Sequence, residues 1–336
     1  EAVIRLSRKL AKKGWKVTVY AHPLDEAGEY DGVTYKQFHE FNAKDTFNIV
    51  VLWRAAGMAD IPLSAKQTYL WLHDVPNSAE FTEGRVKKLD RIFVLSEFHK
   101  SLLKFNKGGE FIDPPEGKVC VSANGIDTET IPDGEGRDPK RMVWTSSYDR
   151  GLEYLLKNWD EIKEKVPDAE LDICYGWNLF DKAWSNNPAK MMWKQKMNQL
   201  MDKPGITHHG RVGQDKVMDL MGKAGVWAYP TAFEEISCIS AIKSQAYGSI
   251  PVVTDYAALQ ETVQHGDKVN VDITSRKGQA TYVEHLVAML EDSDKQEEIR
   301  QEMQPWALKK YDWANVADQW DGWFREDGEN ATISLV

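Results

Sequence analysis

The sequence predicts an α/β protein of two Rossmann-like, doubly wound parallel-sheet domains facing a cleft. Three observations predict it: chain length, a repeated strand-then-helix rhythm, and one break rich in proline and glycine. At 336 residues the chain is longer than one hydrophobic core usually serves. A gap between two such domains is the default ligand site. Apolar stretches with β-branched and aromatic residues recur at Lys16 to Ala21, Asn48 to Trp53, Thr68 to His73, Arg91 to Leu95 and Lys118 to Ser122. The second half repeats the rhythm at Met142 to Thr145, Glu170 to Tyr175, Thr207 to Gly210, Val226 to Tyr229 and Pro251 to Thr254. Strands separated by helices pair in parallel through crossovers.

Between the halves, Asp127 to Lys140 reads DTETIPDGEGRDPK, without apolar periodicity, and is expected to be the interdomain linker. The expected divisions are residues 1–126, linker 127–140, residues 141–310, and a C-terminal helix and tail at 311–336 that returns to the N-terminal domain. From Gly151 to Val166, residues Leu152, Leu155, Leu156, Trp159, Ile162 and Val166 fall on one helical face. Glu1 to Lys13 also reads as an amphipathic helix, closed by Gly14 and followed at once by a strand. A doubly wound domain should open on a strand, so the first strand is expected to be missing from the chain, or else the sheet is naturally short.

A net charge of −10 argues against a broad electrostatic grip on nucleic acid or an anionic membrane. Cys120, Cys174 and Cys238 lie far apart, lack CxxC spacing and cannot all pair, so a cytoplasmic setting is expected. There is no membrane-length apolar run and no signal peptide, which makes the Asn330-Ala331-Thr332 sequon incidental. The thirteen tryptophans fit core packing better than carbohydrate stacking.

The most informative stretch is Tyr229 to Val263, YPTAFEEISCISAIKSQAYGSIPVVTDYAALQETV. It reads as a strand end, a loop bearing Glu234 and Glu235, a helix from about Cys238 to Tyr247 capped by Gly248, and the next strand. Ile236, Ser237, Cys238 and Ile239 then stand where a helix N-terminus offers amides to a diphosphate. Taken alone, the stretch reads also as a buried βαβ unit with exposed glutamates. A second segment, Trp144 to Leu152, reads WTSSYDRGL, where Ser146, Ser147, Arg150 and backbone amides can converge on a pyrophosphate. Read alone, Ser147 or Asp149 serves equally as a helix cap and Arg150 as a surface ion-pair partner.

These segments resemble the retaining GT-B glycosyltransferases of family GT4, specifically members with an SSxDRGL segment. The resemblance spans most of the chain and is strongest over residues 142–263. It implies transfer of a sugar from a nucleoside diphosphate sugar, the co-substrate, to an acceptor hydroxyl with retention of configuration and without metal or other cofactor. Glu235 would hold the donor sugar, and Arg150 and Ser147 the diphosphate. Lys243 stands where the family has a second Glu that binds the ribose; an ammonium has no acceptor, so it must meet a phosphate, reach outward, or mark a weakened site. Arg150 stands where the wider family commonly has Lys.

At the C-terminal end of an expected strand, His73 and Asp74 resemble the family's sugar-proximal segment. A lone histidine there is otherwise structural. Arg54 and Ser96, at neighbouring strand ends, would line the acceptor side, though the LSEFHK segment reads also as a cap and Asn124 to Asp127 as a turn. Tyr175, Gly210, Arg211 and Val212 follow strands and are placed to meet the nucleotide base, or to pack loops. The resemblance thus implies His73, Glu235 and Arg150 as catalytic, with a carbohydrate acceptor.

Other signals are set aside. Asp292-Ser293-Asp294 mimics DxD but reads as a helix cap, and His208-His209 lacks metal-spaced partners. Met191, Met192, Met197 and Met201 are expected to face a core. There is no GxGxxG and no GxxxxGK. The rival functions are a nonenzymatic nucleotide-sugar-binding relative, an epimerase or phosphorylase on the same fold, and a nucleic-acid glycosyltransferase, which the acidic balance disfavours.

Overall fold

The computed structural model describes residues 1–333, so the end of the expected 311–336 tail lies outside the described residues, as do the side chains of the Asn330 sequon. The chain forms two compact units, Glu1–Asp127 joined by the segment from Tyr311 on, and Thr128–Lys310. Unit 1 contains α1 (Ala2–Lys12), β1 (Val17–Ala21), β2 (Gly28–Tyr30), β3 (Val33–Gln37), β4 (Thr46–Trp53), β5 (Ser64–Trp71), α2 (Glu83–Lys87), β6 (Arg91–Val94), α3 (Glu97–Leu102), β7 (Phe105–Lys107), β8 (Glu110–Ile112) and β9 (Val119–Val121). Unit 2 contains β10 (Asp138–Trp144), α4 (Leu152–Lys157), α5 (Trp159–Lys165), β11 (Glu170–Cys174), α6 (Asn178–Trp184), α7 (Pro188–Met201), β12 (Ile206–Gly210), α8 (Gln214–Lys223), β13 (Ala224–Tyr229), α9 (Ile239–Tyr247), β14 (Ile250–Thr254), α10 (Leu259–Thr262), β15 (Asp267–Val269) and α11 (Arg276–Glu291). Helix α12 (Ser293–Tyr311) ends at the boundary, and α13 (Trp313–Ile333) belongs to unit 1.

Unit 2 is one six-stranded sheet in the order β12-β11-β10-β13-β14-β15, parallel throughout. Its first strand is central. The chain winds outward through β11 and β12, then returns to the other side of β10 with β13. Strand order reverses between β10 and β13, the topological position at which ligands of open α/β sheets gather. Strands β13 (AGVWAY) and β14 (IPVVT) are buried at every residue, as sequences without polar alternation must be when helices cover both faces.

Unit 1 departs from the single doubly wound sheet expected of it. It has a four-stranded parallel sheet, β4-β5-β6-β9, and a separate three-stranded sheet, β1-β3-β2, with β1 and β4 each at an edge. Val17 of β1 and Ile49 of β4 nonetheless pack on one cluster with Leu6, Leu10, Trp71, Phe93 and Trp320, so α1 and α13 cover both sheets. Strand β3 (VTYKQ) escapes the sequence reading because three of its five residues are polar.

Other expectations need correction. The helix expected from Gly151 to Val166 breaks into α4 and α5 at Asn158, whose side-chain amide donates to the Tyr154 carbonyl at 2.7 Å, a bond that competes with helix continuation. The apolar face survives the break, with Leu152, Leu156, Trp159 and Ile162 all buried. Strand β5 ends at Trp71, two residues short of His73. The presumed linker is tied to unit 2: Arg137 donates to the carbonyls of Gly222 and Tyr247, each at 2.8 Å, and its last residues already belong to β10. Met197 and Met201 are buried, but Met192 faces solvent. Asp292 accepts from the Lys295 amide, as a cap does. The three cysteines are free, and no described helix is long and apolar enough to cross a membrane.

Helix α13 is anchored by Trp320, which meets Phe93 at 4.2 Å between ring centroids and Trp71 at 4.9 Å and donates its indole N–H to Ser122 at 2.7 Å. Removing a buried tryptophan forfeits transfer energy and leaves a cavity. Trp320→Ala should therefore destabilise unit 1 by about 3–5 kcal/mol, read by urea unfolding; an unchanged midpoint contradicts the anchoring role.

Candidate functional site

In unit 2 the loop after β10 and the loop after β13 meet at the strand-order reversal. They touch at Gly151, which has φ 118°; a Cβ there would lie 2.0 Å from the Pro230 carbonyl oxygen. Only glycine satisfies both the backbone angle and the contact. The meeting of the loops sets Arg150 against Glu235. The carboxylate is buried, and its Oε1 accepts from the Arg150 guanidinium at 3.0 Å and from the Tyr229 hydroxyl at 2.6 Å. The guanidinium also lies 4.2 Å over the Phe233 ring.

Burial opposes the Arg150 charge, but Glu235, Tyr229 and Cys238 together outweigh it and the pKa is held above the usual arginine value. Burial likewise drives the Tyr229 phenol and the Cys238 thiol well up, so both stay protonated at neutral pH. The Arg150 side chain remains 38% exposed while Glu235 is 5% exposed, so the pair is open to solvent on the arginine side alone. Arg150 is an ion-pair partner, as one local reading has it, but the carboxylate it meets is buried instead of lying on the surface. Ser147 precedes a short 3₁₀ turn and makes no side-chain cap.

The first turn of α9 faces the β10 loop, with Ser240 Oγ 3.1 Å from Thr145 Oγ1 and 3.4 Å from Ser146 Oγ. Ile236 and Cys238 are buried, Ser237 is partly buried, and Ile239 is exposed. Lys243, one turn further along α9, is buried and does not reach outward; its Nζ donates to Gln214 Oε1 at 2.8 Å on the first residue of α8. The Gly210-Arg211-Val212 segment therefore leads directly into Lys243's partner. Tyr175 follows β11 with φ 126°, donates its N–H to the Gly210 carbonyl at 2.9 Å, and leaves its ring 37% exposed.

Sequence reasoning missed Tyr229, Phe233 and Gln214, since their parts in the site depend on which atoms approach Glu235, Arg150 and Lys243 in space. The signal available was that a buried glutamate and a buried lysine each require partners. It also left His209 without a carboxylate, whereas β11 supplies Asp172, buried and 2.6 Å away. No cluster of three or more His, Cys, Asp or Glu poised to hold a metal occurs among the described residues.

In unit 1, His73 lies beyond β5 between Trp71, 4.4 Å away between ring centroids, and Trp53, and its buried Nε2 has no hydrogen-bond partner. Arg54, with φ 74°, donates through its guanidinium to the Asp74 carboxylate. Ser96 is the α3 N-cap, accepting from the His99 amide at 2.9 Å, so the capping reading of LSEFHK is the one the geometry carries. His99 in turn bridges the Leu95 amide and the Asp74 carbonyl. Of the four expected acceptor-side residues, Arg54, His73 and Asp74 are thus neighbours, and Ser96 is held to local structure.

Residues 141–306 match the family model described as glycosyl transferases group 1. No curated protein matches the sequence. Among solved structures, sucrose-phosphate synthase from Thermosynechococcus elongatus is similar at 14% identity and TM-score 0.73, over 96% of this chain and 92% of that one. A glycosyltransferase from Rickettsia africae gives 14% identity and TM-score 0.71 over 98% and 94%. Anabaena HepE, solved with UDP and glucose, gives 12% and 0.65 over 95% and 94%. In the GtfA/B complex, by contrast, the chain spans 58% of the matched chain's length. What these share with the present protein is the GT-B fold of two Rossmann-like units.

Burial, then the nearby Arg54 charge, lowers the His73 pKa to about 4, and burial alone lowers that of His99 to about 4. Both values lie below the ordinary histidine value near 6.5, so between these limits the unfolded chain binds more protons than the folded one. Stability contributed by the neutral imidazoles is therefore full above pH 6.5 and lost as pH falls toward 4. Proton NMR should show both rings neutral at pH 6, and the acid-side fall in melting temperature should shrink in His73→Gln; a His73 titration near 6.5 contradicts the burial account.

Proposed function

We propose that this chain, a GT-B protein whose residues 141–306 carry the glycosyl transferases group 1 match, is a glycosyltransferase that moves a sugar from a nucleoside diphosphate sugar to an acceptor hydroxyl with retention of configuration. The observation that carries the reading is the Arg150–Glu235 pair, buried on one side and open on the other, at the strand-order reversal of unit 2. In the reaction the bond from the sugar's anomeric carbon to the β-phosphate oxygen breaks, the acceptor oxygen bonds to that carbon, and the hydroxyl proton leaves with the diphosphate. Negative charge grows on the leaving group.

A fixed cation and the positive end of α9, set before the charge appears, stabilise that transition state without reorganisation. Arg150 supplies the cation, with its fork suited to two phosphate oxygens. This division of labour assigns charge neutralisation to the protein's own groups, so turnover should survive chelation by EDTA. Glu235, an acceptor only, would fix donor-sugar hydroxyls. In unit 1, neutral His73 and the Arg54–Asp74 pair would serve the reacting face and the acceptor.

One observation favours a second reading, a nucleotide-sugar-binding relative without turnover: buried Lys243 occupies the position of the family's ribose-binding glutamate. Under that reading wild type binds a nucleoside diphosphate by calorimetry but does not turn over, and Lys243→Glu gains turnover. Under the transferase reading wild type consumes a nucleotide sugar from a panel. Arg150→Ala and Glu235→Ala then each lose about 100- to 1000-fold in kcat. Full activity in both variants overturns the site assignment.

A further inference from the structure

The turn after β11 is held in a conformation that its own sequence does not favour. Tyr175 has φ 126° and carries a Cβ, an arrangement that persists only where the surroundings over-determine it. One support is the Gly210 carbonyl already described. The other is Tyr148, which is 2% exposed and stands two residues before Arg150 on the β10 loop. The Gly176 N–H donates to the Tyr148 hydroxyl oxygen at 2.8 Å, and that hydroxyl lies 2.7 Å from Nε2 of His208 on β12.

The Tyr148 ring also packs edge-on against Trp177, 4.7 Å away between ring centroids. Gly176 cannot be substituted easily, because a Cβ would lie 2.7 Å from the Arg211 backbone nitrogen. One phenol thus ties together the carboxyl ends of three adjacent strands, β10, β11 and β12. Burial pushes the phenol pKa up to about 12, and burial, with His209 nearby, lowers that of His208. At neutral pH the hydroxyl therefore accepts from Gly176 and donates to His208.

We propose that Tyr148 is the positioning residue for nucleobase recognition: its hydroxyl locks the Tyr175–Gly176 turn so that the exposed Tyr175 ring and the Arg211 backbone present a preformed platform to the donor's base. The inference rests on the reading that a nucleoside diphosphate lies at the β10–β13 reversal. Because Tyr148 and Arg150 share one loop, the phosphate grip and the base platform are set by the same backbone. A platform acts on binding of the whole nucleotide and not on pyrophosphate.

Calorimetry on the full chain would use uridine, guanosine, adenosine and cytidine diphosphates and inorganic pyrophosphate as probes. Tyr148→Phe keeps the ring and removes the hydroxyl; it should weaken the preferred nucleoside diphosphate roughly tenfold while leaving pyrophosphate within about twofold. With a nucleotide sugar, KM should rise by about the same factor while kcat stays within about twofold. His208→Leu removes the phenol's acceptor and its edge-on ring neighbour while sparing Tyr148 itself, and should weaken the nucleotide roughly threefold, which keeps the test valid if Tyr148→Phe folds poorly. Wild-type affinity in both variants, with Tyr175→Ala weakened, overturns the role of Tyr148 and leaves the site reading intact. If wild type binds none of the diphosphates, or Arg150→Ala binds them unchanged, the site reading itself fails.

Discussion

A carboxylate buried beyond the carboxyl ends of two paired parallel strands must itself be paired, and the architecture of unit 2 is arranged around that requirement. Glu235 is almost wholly removed from water. Desolvating an ionised side chain costs several kcal/mol unless a cation and hydrogen bonds replace the lost water. The replacement here comes from two directions, Tyr229 at the end of β13 and Arg150 from the β10 loop. Neither strand alone can satisfy the group. The close contact of Gly151 with Pro230 is what brings the second partner within reach.

From that pairing the remaining features of the site follow. Holding Glu235 fixes the loop leading into α9, so the first turn of the helix meets Thr145 and Ser146. Arg150 is held over Phe233 with its side chain part-exposed. An Arg–Glu pair that is buried on one face and open on the other is unneeded for stability alone, where apolar residues of similar size serve as well. Its retention fits a site in which charge must be met at short notice. Lys243, further along α9 and engaged with Gln214, departs from the pattern that the sequence otherwise resembles.

Much of this was legible before the structure. Fully apolar runs such as AGVWAY and IPVVT announce central parallel strands, and the register of Glu235, Gly248 and Pro251-Val252-Val253 pointed to the loop and helix where the buried Glu235 meets Arg150. Elements whose stability comes from distant partners were not legible. Strand β3 has a half-polar sequence, and its pairing with β1 and β2 is decided by tertiary structure. The division of unit 1 into two sheets depends on which edges find partners, which periodicity does not encode. The break at Asn158 is a side-chain-to-backbone competition that the apolar pattern, continuous through it, conceals. Tyr229 and Phe233 looked like ordinary strand and loop residues until Glu235 and Arg150 came to rest beside them.

The most direct measurement is a crystal structure of the full chain with a nucleoside diphosphate bound. The account predicts phosphate oxygens at about 3 Å from the Arg150 guanidinium and from amides of the first turn of α9, with Glu235 still held by Tyr229. A nucleotide seated elsewhere, or one at the β10–β13 reversal that Arg150 does not touch, contradicts it.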